Sequence, residues 1–383
     1  MTRRRATPAR EVNPLVTEDR IRQALRNVLD PEIGKPIEDL GMLQGIEVDD
    51  GLVRVHVLLT IAGCPLKDRI DSDVRGALAD VEGVRDVEVV LGEMTGGQRE
   101  ELVGQLRGAQ PPQQTFFTEG DTEVIAIASG KGGVGKSSVT ANLAAALSAS
   151  GFRVGVLDAD VWGFSIPRML GVSGQPVAFN NMILPLEAHG VRVISMGFFV
   201  PDEQPVIWRG PMLHKAIQQF LGDVYWGDLD FLLIDLPPGT GDVSLSLASF
   251  LPGGSMLVVT TPQDAARKVA ERAGRMAQHP NVKLRLVGVV ENMSGFVCPH
   301  CGEITDLFGR GGGEKTAEAL GAPFLGQVPM QVSLREGSDT GMPVVVSEPD
   351  SPAGRAFREL ADGVARATKT KVGKPLPLSV SPR

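Results

Sequence analysis

The sequence predicts an α/β protein: a parallel sheet with helices on both faces, preceded by a small α+β domain. Three observations predict it. From Glu123 onward, short and nearly all-apolar segments alternate with amphipathic ones, the pattern of strands buried on both faces. The first of those junctions carries "GKGGVGKS", Gly130–Ser137, with the G-x-x-x-x-G-K-S spacing of a phosphate-binding loop. Ahead of both, residues 105–120, "QLRGAQPPQQTFFTEG", are rich in Gln, Gly and Pro, the composition of a linker.

A length of 383 residues suits two domains. Residues 1–13 carry Arg3, Arg4, Arg5 and Arg10 and read as a disordered tail. In "TEDRIRQALRNVLDPE" the apolar Ile21, Leu25 and Val28 share one face, so a helix is expected to run to Pro31. "GIEVDDGLVRVHVLLT" alternates apolar and polar residues around Asp49-Asp50-Gly51, a hairpin pattern. "KDRIDSDVRGALADV" reads as a second helix and "VRDVEVVLG" as another strand. These elements give a first domain over 14–104 and a linker over 105–122. The second domain, 123–370, contains "VIAIAS", "FRVGVLDAD", "VRVISMG", "FLLIDLPPG", "SMLVVTTP" and "LRLVGVVEN" as strands, with helices such as 137–149 and 264–278 between them. Residues 371–383 read as a flexible tail.

The bulk numbers exclude several classes. A net charge of −8 argues against a nucleic-acid partner. No apolar run approaches the ~18 residues of a membrane span, and the basic N-terminus lacks the apolar core of a signal peptide. A cytoplasmic protein with no membrane partner is expected. Three cysteines are too few for a disulfide scaffold.

The stretch Gly130, Lys131, Gly132, Gly133, Val134, Gly135, Lys136, Ser137 and Ser138 is the expected nucleotide-binding loop. Its glycines let the backbone wind around phosphate oxygens, and the following helix presents its positive N-terminus to the same anion. Lys136 is expected to reach the β/γ-phosphates and Ser137 to ligate Mg²⁺. Lys131 is a second lysine in the loop. It is either a surface residue at the loop mouth or a cation that reaches a phosphate across a dimer interface. Asp158 and Asp160 end one apolar strand and Asp235 ends another, where ligands bind in open α/β sheets. One of the first two can support a metal and the other orient water; Asp235 reads as the Mg²⁺-side carboxylate, followed by Gly239 and Gly241. Taken singly, each acid could equally be a helix cap or loop residue.

Together "GKGGVGKSSVTANLA", "DADVWGFSIPRMLG", "WRGPM", "LLIDLPPGTGD" and "ENMSGFVCPHCGE" resemble the Mrp/ApbC group of iron–sulfur cluster carrier ATPases. That group belongs to the deviant-Walker class of P-loop NTPases with MinD, ParA and the nitrogenase iron protein. The resemblance, over about residues 123–345, implies a homodimer that binds and slowly hydrolyses ATP and passes a cluster to apo iron–sulfur proteins, with a cluster-assembly scaffold as a further partner; a MinD- or ParA-like positioning ATPase and a zinc-bridged dimeric scaffold with nucleotide binding are the alternatives. It implies that Lys131 acts across the dimer, that Asp160 orients water, that Asp235 is the switch acid and that Asn292 faces adenine. Lys131, Lys136, Asp160 and Asp235 are thus the catalytic candidates. Trp162 and Phe164 depart from the pattern, standing where a smaller aromatic and a proline are expected, which bears on the hydrolysis rate. Residues 17–92, with "LDPEIGKPIEDLGMLQGIEV" and "LLTIAGCP", resemble the PaaD/SufT-type domain of iron–sulfur assembly factors. There Cys64 matches the domain's cysteine and Glu32 the acid of its D-P-E motif. A small buried hydrophobe and a solvated loop acid are the plainer readings of these two.

Cys298 and Cys301, spaced C-x-x-C, supply half of a tetrahedral site. A redox pair, a disulfide and an intrachain zinc site are alternatives, the last lacking two ligands. His300 lies inside the motif and is poorly placed to join the same tetrahedron. Two copies meeting on a two-fold axis supply four thiolates. Four thiolates suit a 4Fe–4S cluster, as the resemblance implies, and equally Zn²⁺.

Overall fold

The computed structural model describes residues 16–31, 33–60, 66–107, 122–160, 163–179, 182–199, 210–239, 254–279, 282 and 284–368. Glu32, Cys64, Trp162, Gly241, both tails and most of the linker segment lie outside the described residues. The chain divides into two compact units: Met1–Pro111 with Val177–Leu184, and Pro112–Pro176 with Pro185–Arg383. The sequence reading kept 177–184 inside the second domain. The segment forms a short antiparallel pair, β6 (Val177–Phe179) and β7 (Met182–Leu184), in which Met182 and Leu184 are buried.

In the first unit, helix α1 (Glu18–Leu25) is capped by Thr17, whose hydroxyl accepts from the Arg20 N–H. It buries Ile21 and Leu25. It ends earlier than Pro31, because the chain from Val28 folds back on itself. Leu29 bridges Pro36, Asp30 N–H donates to the Lys35 carbonyl, and the Asp30 carboxylate accepts from Ile33 N–H at 2.8 Å. Strands β1 (Leu43–Asp49) and β2 (Leu52–Leu59) pair antiparallel across Asp50-Gly51, both at positive φ as a two-residue hairpin requires. Helix α2 (Lys67–Ala79) buries Ile70, Val74 and Leu78, and β3 (Asp86–Glu93) joins β2 in parallel. Helix α3 (Gly96–Arg107) runs three residues into the segment read as linker, with Leu102 buried.

The second unit is built on a nine-stranded sheet. Its core strands are parallel: β4 (Glu123–Ser129), β5 (Val154–Asp158), β9 (Val191–Ser195), β10 (Phe231–Asp235), β11 (Ser255–Thr260), β12 (Arg285–Val297) and β14 (Phe324–Met330). β8 (Leu186–Ala188) and β13 (Ile304–Thr305) run antiparallel at opposite edges of the parallel sheet that the sequence predicts. Both belong to tight returns of the chain, which can only pair antiparallel. β4, β5, β10 and β11 are buried along their whole length, which explains their unbroken apolar sequence. Helices α4 (Lys136–Ala149), α7 (Asp264–Ala277) and α11 (Pro352–Thr368) pack on this sheet and its neighbours. Between them come the short α5 (Ile166–Met169) and α6 (Gly210–Asp223); α8 (Gly312–Leu320), α9 (Val332–Thr340) and α10 (Val344–Ser347) precede α11. β4 lies between β10 and β11, so the loop that follows it opens at the middle of the sheet's carboxyl edge. No described helix is long and apolar enough to cross a membrane.

Candidate functional site

The phosphate loop is shaped by its glycines. Gly135 has φ 77°, and a Cβ there would lie 2.2 Å from the Asn292 Nδ2. A Cβ on Gly130 would lie 2.3 Å from the backbone of Val269, because α7 abuts the loop. No side chain caps the N-terminus of α4, which leaves its first amides to the cleft. That cleft, about 230 Å³, is lined by Ser129, Lys131–Ser138, Asp160, Gly163, Ser165, Met169 and Pro238. It brings together nearly every residue the motif predicts; Gly130 lies buried beneath the loop. Asn292 comes to the loop from β12, and its buried amide donates to the Val134 carbonyl at 2.8 Å. In this structure it braces the loop, where the resemblance assigns it to adenine.

The acids follow from sheet register. Asp235 on β10 pairs with Ile127 of β4 on one side and Asp158 of β5 on the other. Asp235 is wholly buried. Its Oδ2 accepts from Lys136 Nζ at 2.6 Å and Ser137 Oγ at 2.6 Å, and its Oδ1 accepts from Thr140 Oγ1 at 2.7 Å. Lys136 is itself 6% exposed, so the pair is a buried one. Asp158, one of the two acids the sequence offered for a metal or a water, is held by backbone amides and a serine hydroxyl. It is 0% exposed, away from the cleft lining. Its Oδ1 accepts from Asp160 N–H, and its Oδ2 from Ser165 N–H, Ile166 N–H and Ser195 Oγ, all at 3.1–3.2 Å. Burial pushes the Asp158 carboxyl up to about 7, the neighbouring Asp235 charge adding to it and Lys136 opposing it. Asp158 therefore fixes the segment that carries Asp160. Asp160 lines the cleft, and its Oδ1 accepts from Gly163 N–H at 3.1 Å. Lys131 is exposed at the loop mouth, and among the described residues its ammonium has no partner.

The cysteines sit in the turn that follows β12. That strand turns at Cys298 and returns as β13, with Cys298 N–H donating to the Glu303 carbonyl and Gly302 N–H donating back to the Cys298 carbonyl, both at 2.9 Å. The backbone N–H of Cys301, then that of His300, then the Cys301 thiol, hold the Cys298 thiol below its ordinary range. Cys298 is half-buried and Cys301 exposed. Among the described residues no third His, Cys, Asp or Glu joins them. Ile304, Leu307 and Phe308 next to the turn are 52%, 57% and 38% exposed. Asn292, within β12, and Cys298, the residue after its end, are thus six residues apart, at most about 20 Å of extended chain.

Sequence reasoning missed Thr140, Ser195 and Glu291. The buried Glu291 accepts from Gly313 N–H, Gln327 Nε2 and Ser294 Oγ at 2.6–2.8 Å, where β12 shifts register against β14. Only Thr140 left a signal: a hydroxyl one helical turn past Lys136.

The family described as NUBPL iron-transfer P-loop NTPase matches residues 121–365, and that described as iron-sulfur cluster assembly protein matches 18–91. The iron-sulfur cluster carrier protein of Mycobacterium tuberculosis is 51% identical over 372 residues, covering 95% of this chain and 97% of its own. That of Deinococcus radiodurans is 45% identical over 361 residues, covering 94% and 98%. Among solved structures, the nucleotide-binding protein of Archaeoglobus fulgidus in complex with ADP aligns with a TM-score of 0.53 at 38% identity, over 61% of this chain and 91% of that one. With its loop, its acids and its paired thiols in place, the chain belongs to the family of NUBPL iron-transfer P-loop NTPases.

Proposed function

We propose that the protein is a homodimeric carrier that binds and slowly hydrolyses ATP, holds a 4Fe–4S cluster between two copies, and passes it to apo iron–sulfur proteins. The observation that carries this reading is β12: one strand braces the phosphate loop through Asn292 and presents Cys298 and Cys301 at its end. Two thiols with no third ligand among the described residues make half of a tetrahedral cluster site. An isologous dimer supplies the other half. The exposed Ile304, Leu307 and Phe308 around the turn are the apolar surface such a contact would cover.

The residues of the cleft fit a magnesium nucleotide. The loop amides and the α4 N-terminus cradle phosphate oxygens. Lys136 turns from Asp235 to the β/γ-phosphates, and Ser137 with Asp235 takes the metal side. Mg²⁺, when bound, neutralises charge on the phosphate oxygens. Asp160 stands where it can orient water, fixed there by Asp158. Lys131, exposed at the mouth, reaches the site of the second copy, where charge develops in the transition state.

Anaerobic reconstitution with iron and sulfide tests this reading, followed by metal analysis and visible absorption. One four-iron cluster per two chains is expected. It is lost in Cys298→Ala while ATP binding is kept. A full cluster in that variant overturns the bridging arrangement. A colourless protein with one zinc per two chains makes the bridge structural, since four thiolates hold Zn²⁺ equally well.

A further inference from the structure

Among the described residues three side-chain donors hold the Asp235 carboxylate, and two of them are groups a nucleotide recruits. Its Oδ2 accepts from Lys136 Nζ and Ser137 Oγ. On the reading above, both leave when the site fills, one for phosphate and one for Mg²⁺. The bond to Oδ1 is not in that competition. Thr140 lies one helical turn beyond Lys136, is wholly buried and is absent from the cleft wall. Its single hydroxyl hydrogen has two acceptors within reach: Asp235 Oδ1 at 2.7 Å and the Lys136 carbonyl at 3.0 Å. The carboxylate is closer and charged, so it makes the stronger bond. The carbonyl faces the intrahelical amide four residues on.

We infer that Thr140 is a positioning residue: it pins the Asp235 carboxylate from below while its other two partners are exchanged for nucleotide. A carboxylate that lost both Oδ2 donors would otherwise be free to rotate away from the metal side. Thr140 touches neither phosphate nor metal; it acts through Asp235. The inference rests on the reading of the cleft as a magnesium-nucleotide site.

Thr140→Val removes the hydroxyl at nearly constant volume, and Thr140→Ser keeps it. Calorimetric titration with ADP, with and without Mg²⁺, and steady-state ATP hydrolysis are measured on both variants and the wild-type protein. In Thr140→Val the Mg²⁺-free affinity stays at the wild-type level. The Mg²⁺-dependent gain in affinity and kcat each fall about tenfold, the scale of one hydrogen bond to a charged group. Thr140→Ser restores both. A Val variant equal to wild type in both readouts overturns the inference. So does a Ser variant as impaired as the Val variant, which assigns the effect to methyl packing, or a Val variant that loses Mg²⁺-free binding. A wild-type protein with neither Mg²⁺-dependent binding nor hydrolysis overturns the reading of the cleft itself, and the inference with it.

Discussion

The phosphate loop and the cysteine turn are joined through one strand, and they are finished to different degrees. At the loop every buried charge has its partner inside the chain: Lys136 on Asp235, Asp235 on Ser137 and Thr140, Asp158 on three amides and a serine. At the turn two thiols stand exposed or half-buried beside uncovered apolar side chains. The first site can change state only by exchanging partners it already has. On the proposed function, the second is completed from outside by another copy. A carrier needs that division, because a fully satisfied metal site would hold its cargo rather than release it.

Lys136→Ala breaks the comparison most severely. It removes the phosphate cation and leaves Asp235 buried without its counter-charge. Hydrolysis is expected to be lost, and stability without nucleotide to fall by about 3 kcal/mol. Cluster content after reconstitution is expected to be unchanged, since nothing at the turn contacts Lys136. A folded variant that also loses its cluster would show that the two sites share one structural frame.

Gly135→Ala comes next. Its Cβ would enter the space of the Asn292 amide at a left-handed backbone position, so both the loop and its brace must move. Nucleotide affinity, measured by titration, is expected to fall tenfold or more, on the order of 1–2 kcal/mol from the backbone strain alone. Asn292→Ala is milder: it removes one bond to Val134, about 1 kcal/mol or roughly fivefold. Cluster content is expected to hold in Asn292→Ala. A fall there would make the strand itself the transmitter between the sites.

The loop was readable in the sequence because its chemistry is contiguous: eight residues between an apolar strand and a helix fix the phosphate site. The thiol pair was readable for the same reason. What the sequence could not place depends on which strands become neighbours. Ser195 meets Asp158 only because β9 lies beside β5, and Asp158 feels Asp235 only because β5 lies beside β10. Asp158, offered by its spacing for a metal or a water, accepts from three backbone amides and a serine, contacts that spacing alone does not encode. The early end of α1 was hidden likewise, since it is set by a return of the chain from Val28 to Pro36.

Buried Asp158 also predicts a pH response of folding stability. Asp158 titrates at about 7 in the folded chain, against 3.8 for an ordinary aspartate. Between those values the unfolded chain has released the proton and the folded chain keeps it. The folded state then binds more protons, so its stability falls as pH rises from about 4 to 7 and levels off above. The slope from this group is at most about 1.4 kcal/mol per pH unit. In Asp158→Asn, which cannot ionise, urea denaturation at pH 5, 6, 7 and 8 is expected to show a flatter profile. A profile parallel to wild type would mean that Asp158 is ionised throughout.

The smallest effect belongs to the turn. Cys298 is less exposed than Cys301, yet the amides of Cys301 and His300 favour its thiolate. The thiolate, not the thiol, is the nucleophile. Alkylation of the metal-free protein by iodoacetamide at pH 7, followed by peptide mass spectrometry, is therefore expected to label Cys298 before Cys301. At pH 10 the advantage is expected to disappear, because a thiolate of lower pKa is intrinsically the weaker nucleophile. Labelling that follows exposure at both pH values, with Cys301 always first, would mean that the amides do not reach the Cys298 sulfur in solution. The turn would then present two ordinary thiols, and its preparation for a metal would have to come from the second copy rather than from its own backbone.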